Sequence, residues 1–326
     1  MNNSGESPLN AGLKHIILCQ IYRKTSRIQT NHHGIFQALC QEYWDNAGFE
    51  EGVLYYNENK VKGARDKIFH ILRKLPRSSI APKSTIIVFP ENVIPYSILD
   101  DLIDFATKQD IILIGGMEHK RWKEIQEIFG QLAVLYQDRF ARSEISSILD
   151  AHSKNFNPES YLNLAIIING SQRFSFQHKH IPFYKIFVKE RENNEFLREN
   201  IPLLLKPNYF KFETSVGPLS LFICKDFLSH YRAIPDWMNA NSIPLIVIPA
   251  FSSKVATFQS KFIDMVEKQG CRENLFALAS MAEYGGSGLY CFDTLGLAEP
   301  ANVQKFPGRV EKVFIYKRKD TCWNCF

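Results

Sequence analysis

The chain has 326 residues, a 45% hydrophobic fraction and a formal net charge of +5. That is enough apolar material for a globular core, and no Pro/Gly/Ser-rich linker divides it, so one domain covering 1–326 is expected. The charge is mild and spread along the chain, which excludes a nucleic-acid footprint, and no apolar run approaches the ~20 residues that span a bilayer.

Apolar periodicity predicts the elements in chain order. Leu13 to Ile21 reads as a first strand. Val61 to Leu75, with Ile68, Ile71 and Leu72 on one face, reads as a helix, and Ile86 to Pro90 as the strand after it. Ile98 to Lys108 is the next predicted helix and Ile111 to Ile114 the next strand. Ile125, Phe129, Leu132 and Leu135, then Ile145, Ile148 and Leu149, have the spacing of one or two amphipathic helices. Tyr161 to Ile168 and Arg173 to His178 read as strands joined at Asn169-Gly170, a hairpin signal. An apolar run ends at Cys224, Leu245 to Ile248 follows, and Phe258 to Gln269 is helical. Leu275 to Ser280, Gly288 to Phe292 and Val310 to Tyr316 close the series as strands. Strand-helix alternation mixed with hairpins points to two mixed sheets with helices outside, an α/β (α+β) class.

Three of these strands end on groups that carry chemistry. Ile86-Ile87-Val88-Phe89-Pro90 delivers Glu91, Phe174-Ser175-Phe176-Gln177-His178 delivers Lys179, and Leu219-Ser220-Leu221-Phe222-Ile223 delivers Cys224. Singly, each has an ordinary structural reading: a buried thiol, a helix cap, a solvated cation. Together they supply a base, an ammonium and a nucleophile.

Glu, Lys and Cys in this order, each after a strand, resemble the nitrilase superfamily of carbon–nitrogen hydrolases. Val88-Phe89-Pro90-Glu91 is similar to its first motif, and Lys179-His180-Ile181-Pro182 with Tyr184, Ile186, Phe187 and Glu190 is similar to the lysine motif of the glutaminase-like branch. Ile223-Cys224-Lys225-Asp226 resembles the nucleophile motif, and Ile248-Pro249-Ala250 the step that follows it. Arg272-Glu273-Asn274, Gly286-Ser287-Gly288, Asp293 and Gly296 resemble the closing signatures. The resemblance runs from about Leu13 to about Tyr316 and implies a four-layer α-β-β-α sandwich.

The resemblance also implies an activity: hydrolysis of a small amide or nitrile through a Cys224 thioester, without cofactor or metal. Glu91 would be the base, Lys179 the stabiliser of the developing charge, with the backbone N–H of Lys225 beside it, and Glu190 a second glutamate orienting Lys179 or the substrate. Asp226 is expected to brace the turn, and Arg272, Glu273 and Asn274 to form a structural network. Family members assemble as homodimers or higher homo-oligomers, so self-association is implied too.

Departures from the pattern are local. Phe227-Leu228-Ser229-His230-Tyr231 replaces the usual aromatic-Pro-Glu continuation, which implies a reshaped pocket wall. Segments at about 23–60 and 117–160 are longer than the family needs and read as insertions, a lid or a surface for a protein partner. An interaction protein on the same scaffold, with activity weak or lost, is therefore the alternative. Met1 to Asn10 is polar, and the seven cysteines are scattered, so a reducing cytoplasm is the expected compartment. Cys322 and Cys325 form a C-x-x-C without a second pair to complete a zinc site.

Overall fold

The computed structural model describes residues 12–21, 58–136, 156–170, 173–182, 184–188, 194–199, 201–204, 209–252, 255–269, 271, 274–282, 285–291, 312–319 and 322–325. In chain order the strands are β1 (His15–Gln20), β2 (Thr85–Val88), β3 (Ile112–Gly116), β4 (Lys120–Arg121), β5 (Tyr161–Leu162), β6 (Leu164–Asn169), β7 (Arg173–His178), β8 (Tyr184–Val188) and β9 (Asn194–Arg198). They continue as β10 (Phe212–Thr214), β11 (Gly217–Leu221), β12 (Leu245–Ala250), β13 (Leu275–Ser280), β14 (Gly288–Cys291), β15 (Lys312–Lys319) and β16 (Cys322–Cys325). The helices are α1 (Glu58–Lys74), α2 (Leu99–Gln109), α3 (Trp122–Leu135), α4 (Lys225–His230), α5 (Ile234–Asn241) and α6 (Val255–Gln269).

The strands form a seven-stranded sheet, β16-β15-β1-β2-β3-β6-β7, and a five-stranded sheet, β10-β11-β12-β13-β14. Two small pairs, β4-β5 and β8-β9, stand apart from them. Because side chains alternate along a strand, β1, β2, β3, β6 and β15 of the larger sheet each serve two cores. Ile16 and Leu18 of β1, Ile86 and Val88 of β2, and Ile112 and Ile114 of β3 pack with Leu219, Leu221, Val247 and Ala277 of the smaller sheet. Their neighbours Ile17, Ile87 and Leu113 pack instead with Ile68 and Leu72 of α1, Leu102 and Ala106 of α2, and Phe129 of α3. The smaller sheet is covered in turn by α6, whose Phe262 stacks on Phe276 with ring centroids 4.8 Å apart.

The strand directions decide where the chemistry gathers. β1, β2 and β3 are parallel in register, with Leu18 opposite Val88 and Val88 opposite Ile114. β6 is antiparallel to β3 and β7 antiparallel to β6, so β7 runs with β2. In the smaller sheet β11, β12 and β13 are parallel. Glu91, Lys179 and Cys224 therefore all leave the carboxyl ends of strands, the edge at which open α/β sheets place their ligands.

Most predicted elements appear within a residue or two of their expected limits. β6 and β7 pair antiparallel as expected, with Asn169 opposite Arg173. The apolar stripe at Ile125, Phe129 and Leu132 is helical as expected, and α3 buries it in the outer core, where the Phe129 ring lies 4.3 Å from that of Phe176. The expected helix around Ile145 to Leu149, nearly all of the 23–60 segment, Arg272, Glu273, Asp293 and Gly296 lie outside the described residues. Asn274 donates to the Ile243 carbonyl at 2.8 Å, a structural bond as expected. Cys322–Cys325 forms the edge strand beside β15. No described helix is long and apolar enough to cross a membrane.

Candidate active site

Glu91 is placed by a backbone clasp. Phe89 donates to Ile114 O at 2.8 Å, Gly116 to Pro90 O at 3.0 Å, and Val93 and Ile94 both donate to Gly116 O at 2.9 Å. A side chain at Gly116 would collide with the Glu91 Cα, so glycine is required for this close approach. Asn92, at φ 60°, turns the chain away at once.

Cys224 sits on a sharper turn. β11 ends at Leu221, Cys224 takes φ 44° and ψ −98°, and α4 begins at the next residue. A non-glycine residue in that region stores roughly 1–3 kcal/mol of strain. The geometry holds because Cys224 N donates to Pro249 O at 3.0 Å and Asp226 N to Ile223 O at 2.9 Å. Strand, strained residue, helix is the arrangement that displays the nucleophile in α/β-hydrolases.

Lys179 follows β7, with its N–H on Asn163 O at 2.8 Å. Its ammonium lies 2.6 Å from Glu91 Oε1 and 2.7 Å from Glu199 Oε2. The Asn163 amide spans the same two carboxylates, 2.8 Å from Glu91 Oε1 and 2.7 Å from Glu199 Oε1. Glu91 Oε2 accepts the Phe251 N–H at 2.9 Å, and the Cys224 thiol donates to the carbonyl of the same Phe251 at 3.8 Å. His119 Nε2 lies 2.8 Å from Glu199 Oε1. All of these side chains are buried, Cys224 at 2% and Glu91 at 1% exposure.

Burial sets the electrostatics. It pushes the Glu91 carboxyl up, and Glu199 adds to that push against the pull of Lys179. Burial also raises Glu199, but Lys179 and the His119 contact outweigh it and hold Glu199 below the usual carboxylate range. Lys179 would lose its proton to burial were it alone; the Glu199 and Glu91 charges overcome this and hold it protonated. The Cys224 thiol is pushed well up, first by burial and then by the Glu91 charge. The resting site is thus a protonated thiol beside an ion cluster in which two carboxylates differ in basicity, the pattern that separates a proton acceptor from a fixed anion.

Asp226 ties the Cys224 turn to the lysine segment. Its carboxylate accepts the backbone N–H of His180 at 3.0 Å and that of Ile181 at 2.8 Å, and His180 Nδ1 lies 3.2 Å away. It braces the turn, as expected from its place in the sequence.

No model of a protein family and no curated protein matches this chain. Solved structures do. Nit3 of Saccharomyces cerevisiae, a member of branch 10 of the nitrilase superfamily, superposes with a TM-score of 0.52 at 12% identity, over 94% of this chain and 90% of its own. This chain has the nitrilase-superfamily fold. A glutamine-dependent NAD+ synthetase from Acinetobacter baumannii also matches, with a TM-score of 0.50 at 13% identity; the match covers 94% of this chain and 45% of the synthetase.

Within this nitrilase fold, Glu91, Lys179 and Cys224 meet as the sequence predicts, while Glu190 lies outside the described residues. The second glutamate on Lys179 is Glu199, which the sequence reading missed along with Asn163 and His119. β8 and β9, which pair antiparallel, separate Glu199 from Lys179 in the chain, and with only Phe196 and Leu197 apolar in β9 the sequence pattern carries no strong hairpin signal.

Proposed function

We propose that this protein is a carbon–nitrogen hydrolase of the amidase/nitrilase type, which cleaves a non-peptide C–N bond through a Cys224 thioester. The observation that carries the reading is the convergence of Glu91, Lys179 and Cys224, from three separate strand ends, in one buried cluster.

The chemistry follows from the contacts. As sulfur attacks the amide carbon, Glu91 takes the thiol proton and charge develops on the substrate oxygen. An ammonium has three donors, and two of those on Lys179 are committed to Glu91 and Glu199, so the third can meet that oxygen. Glu91 then passes its proton to the departing nitrogen, which leaves as ammonia or an amine. A water deprotonated by Glu91 attacks the thioester, the C–S bond breaks, and the carboxylic acid and free thiol are released. Glu199 stays an anion throughout and keeps Lys179 charged.

The buried, free thiols of Cys19 and Cys224 fit a reducing compartment such as the cytoplasm. Self-association as a dimer or higher homo-oligomer belongs to the same reading, and sedimentation velocity tests it. The activity is tested by screening small amides, nitriles and glutamine for ammonia release, with intact-mass detection of a covalent adduct. Release and adduct should both vanish in Cys224→Ala; activity surviving that change would overturn the assignment.

A further inference from the structure

We propose that Asn163 is a positioning residue of this site, an amide clamp that holds Glu91 in the orientation and protonation state in which it accepts the Cys224 proton. The inference rests on the proposed role of Cys224 and Glu91.

Asn163 stands between β5 and β6 and is 1% exposed. Both hydrogens of its single Nδ2 are directed at carboxylate oxygens, on Glu91 at 2.8 Å and on Glu199 at 2.7 Å. The amide orientation follows from the chemistry, since Oδ1 facing two carboxylates would be repelled. Its backbone carbonyl takes the Lys179 N–H at 2.8 Å. One residue thus holds both acids by its side chain and the backbone of Lys179, whose ammonium lies between them, by its carbonyl. Its Oδ1 is buried and has no hydrogen-bond partner among the described residues. Burying an unmatched acceptor is unfavourable, so the amide here serves its donors rather than its own saturation.

The division of labour follows. Lys179 and Asn163 share Glu91 Oε1, while Oε2 accepts the Phe251 N–H, and the Cys224 thiol donates to the carbonyl of that same residue. Without the amide, Glu91 loses a donor that favours its anion, while the groups facing it, Lys179, Glu199 and Cys224, with His119 behind Glu199, remain. Its basic form is then reached only at higher pH.

The test is the pH dependence of Cys224 alkylation by iodoacetamide, read by intact mass on the full chain. In the wild type the rate should fall as pH drops through the Glu91 transition, and Glu91→Gln should abolish that limb. Asn163→Ala should move the limb up by about one pH unit, slowing labelling about tenfold at pH values well below the wild-type midpoint. Asn163→Asp, which puts an acid where the donor was, should move it further, and Asn163→Ser, which keeps one donor, less. If the wild type and Glu91→Gln behave alike, the assigned role of Glu91 fails. If the limb is present but all Asn163 variants share the wild-type midpoint, the clamp fails while that role stands. Loss of folding in all three Asn163 variants would assign the residue to stability alone and equally overturn the proposal.

Discussion

Replacing Lys179 by Met keeps most of the side-chain volume and removes the charge between Glu91 and Glu199. The ammonium is 2% exposed and bonded to both acids. Without it two buried carboxylates face one another through a single amide, and the folded state must protonate one of them. At pH 7 protonating a glutamate of reference pKa ~4.3 costs about 3.7 kcal/mol, which agrees with the roughly 3–5 kcal/mol found when one partner of a buried ion pair is deleted. For a chain of 326 residues Tm should therefore fall by about 5 °C at pH 7. The sign with pH is fixed: the carboxyl that keeps its proton has a folded pKa above its unfolded one, so the variant is relieved as pH falls and worsened as pH rises. The gap to wild type should narrow by about 1.4 kcal/mol per pH unit between pH 7 and pH 5. Differential scanning calorimetry of the two proteins across that range measures it. A Lys179→Met protein with wild-type Tm at pH 7, or a gap independent of pH, would refute the buried ion cluster.

Three further substitutions probe separate parts of the site. Cys224→Gly and Cys224→Ala should both abolish covalent labelling, but glycine tolerates φ 44° and should leave the protein about 1 kcal/mol more stable than alanine by urea unfolding. Gly116→Ala forces a Cβ onto the Glu91 backbone; we expect a loss of about 2–4 kcal/mol and at least a tenfold loss of activity, measured as melting temperature and ammonia release. Asp226→Asn turns one acceptor of the His180 and Ile181 amides into a donor, so stability should drop by roughly 2–3 kcal/mol and kcat should fall as the Lys179 segment loosens, with equilibrium unfolding and kinetics as the readouts.

Residue patterns alone place Glu91, Lys179 and Cys224 at strand ends, because a strand is a local object. Apolar runs such as Leu219 to Ile223 stop where the chain must turn, and the side chain at the stop is written beside them. The cores were legible for the same reason: alternation in β1 and β2 assigns Ile16 and Ile17 to opposite faces, and the stripe of α3 assigns Phe129 inward. What could not be read is which remote group completes each partner. Asn163 meets Glu91 and Glu199 from 72 and 36 residues away, and the Phe251 amide reaches Glu91 across 160. Glu199, 20 residues beyond Lys179, is brought onto its ammonium after the antiparallel β8-β9 pair, a placement that no local pattern encodes. Local hydrophobic periodicity determined the strands and the chemistry offered at their ends. Sheet pairing and the facing of the two sheets, which act between distant segments, decided which of those groups touch and how burial sets their charge.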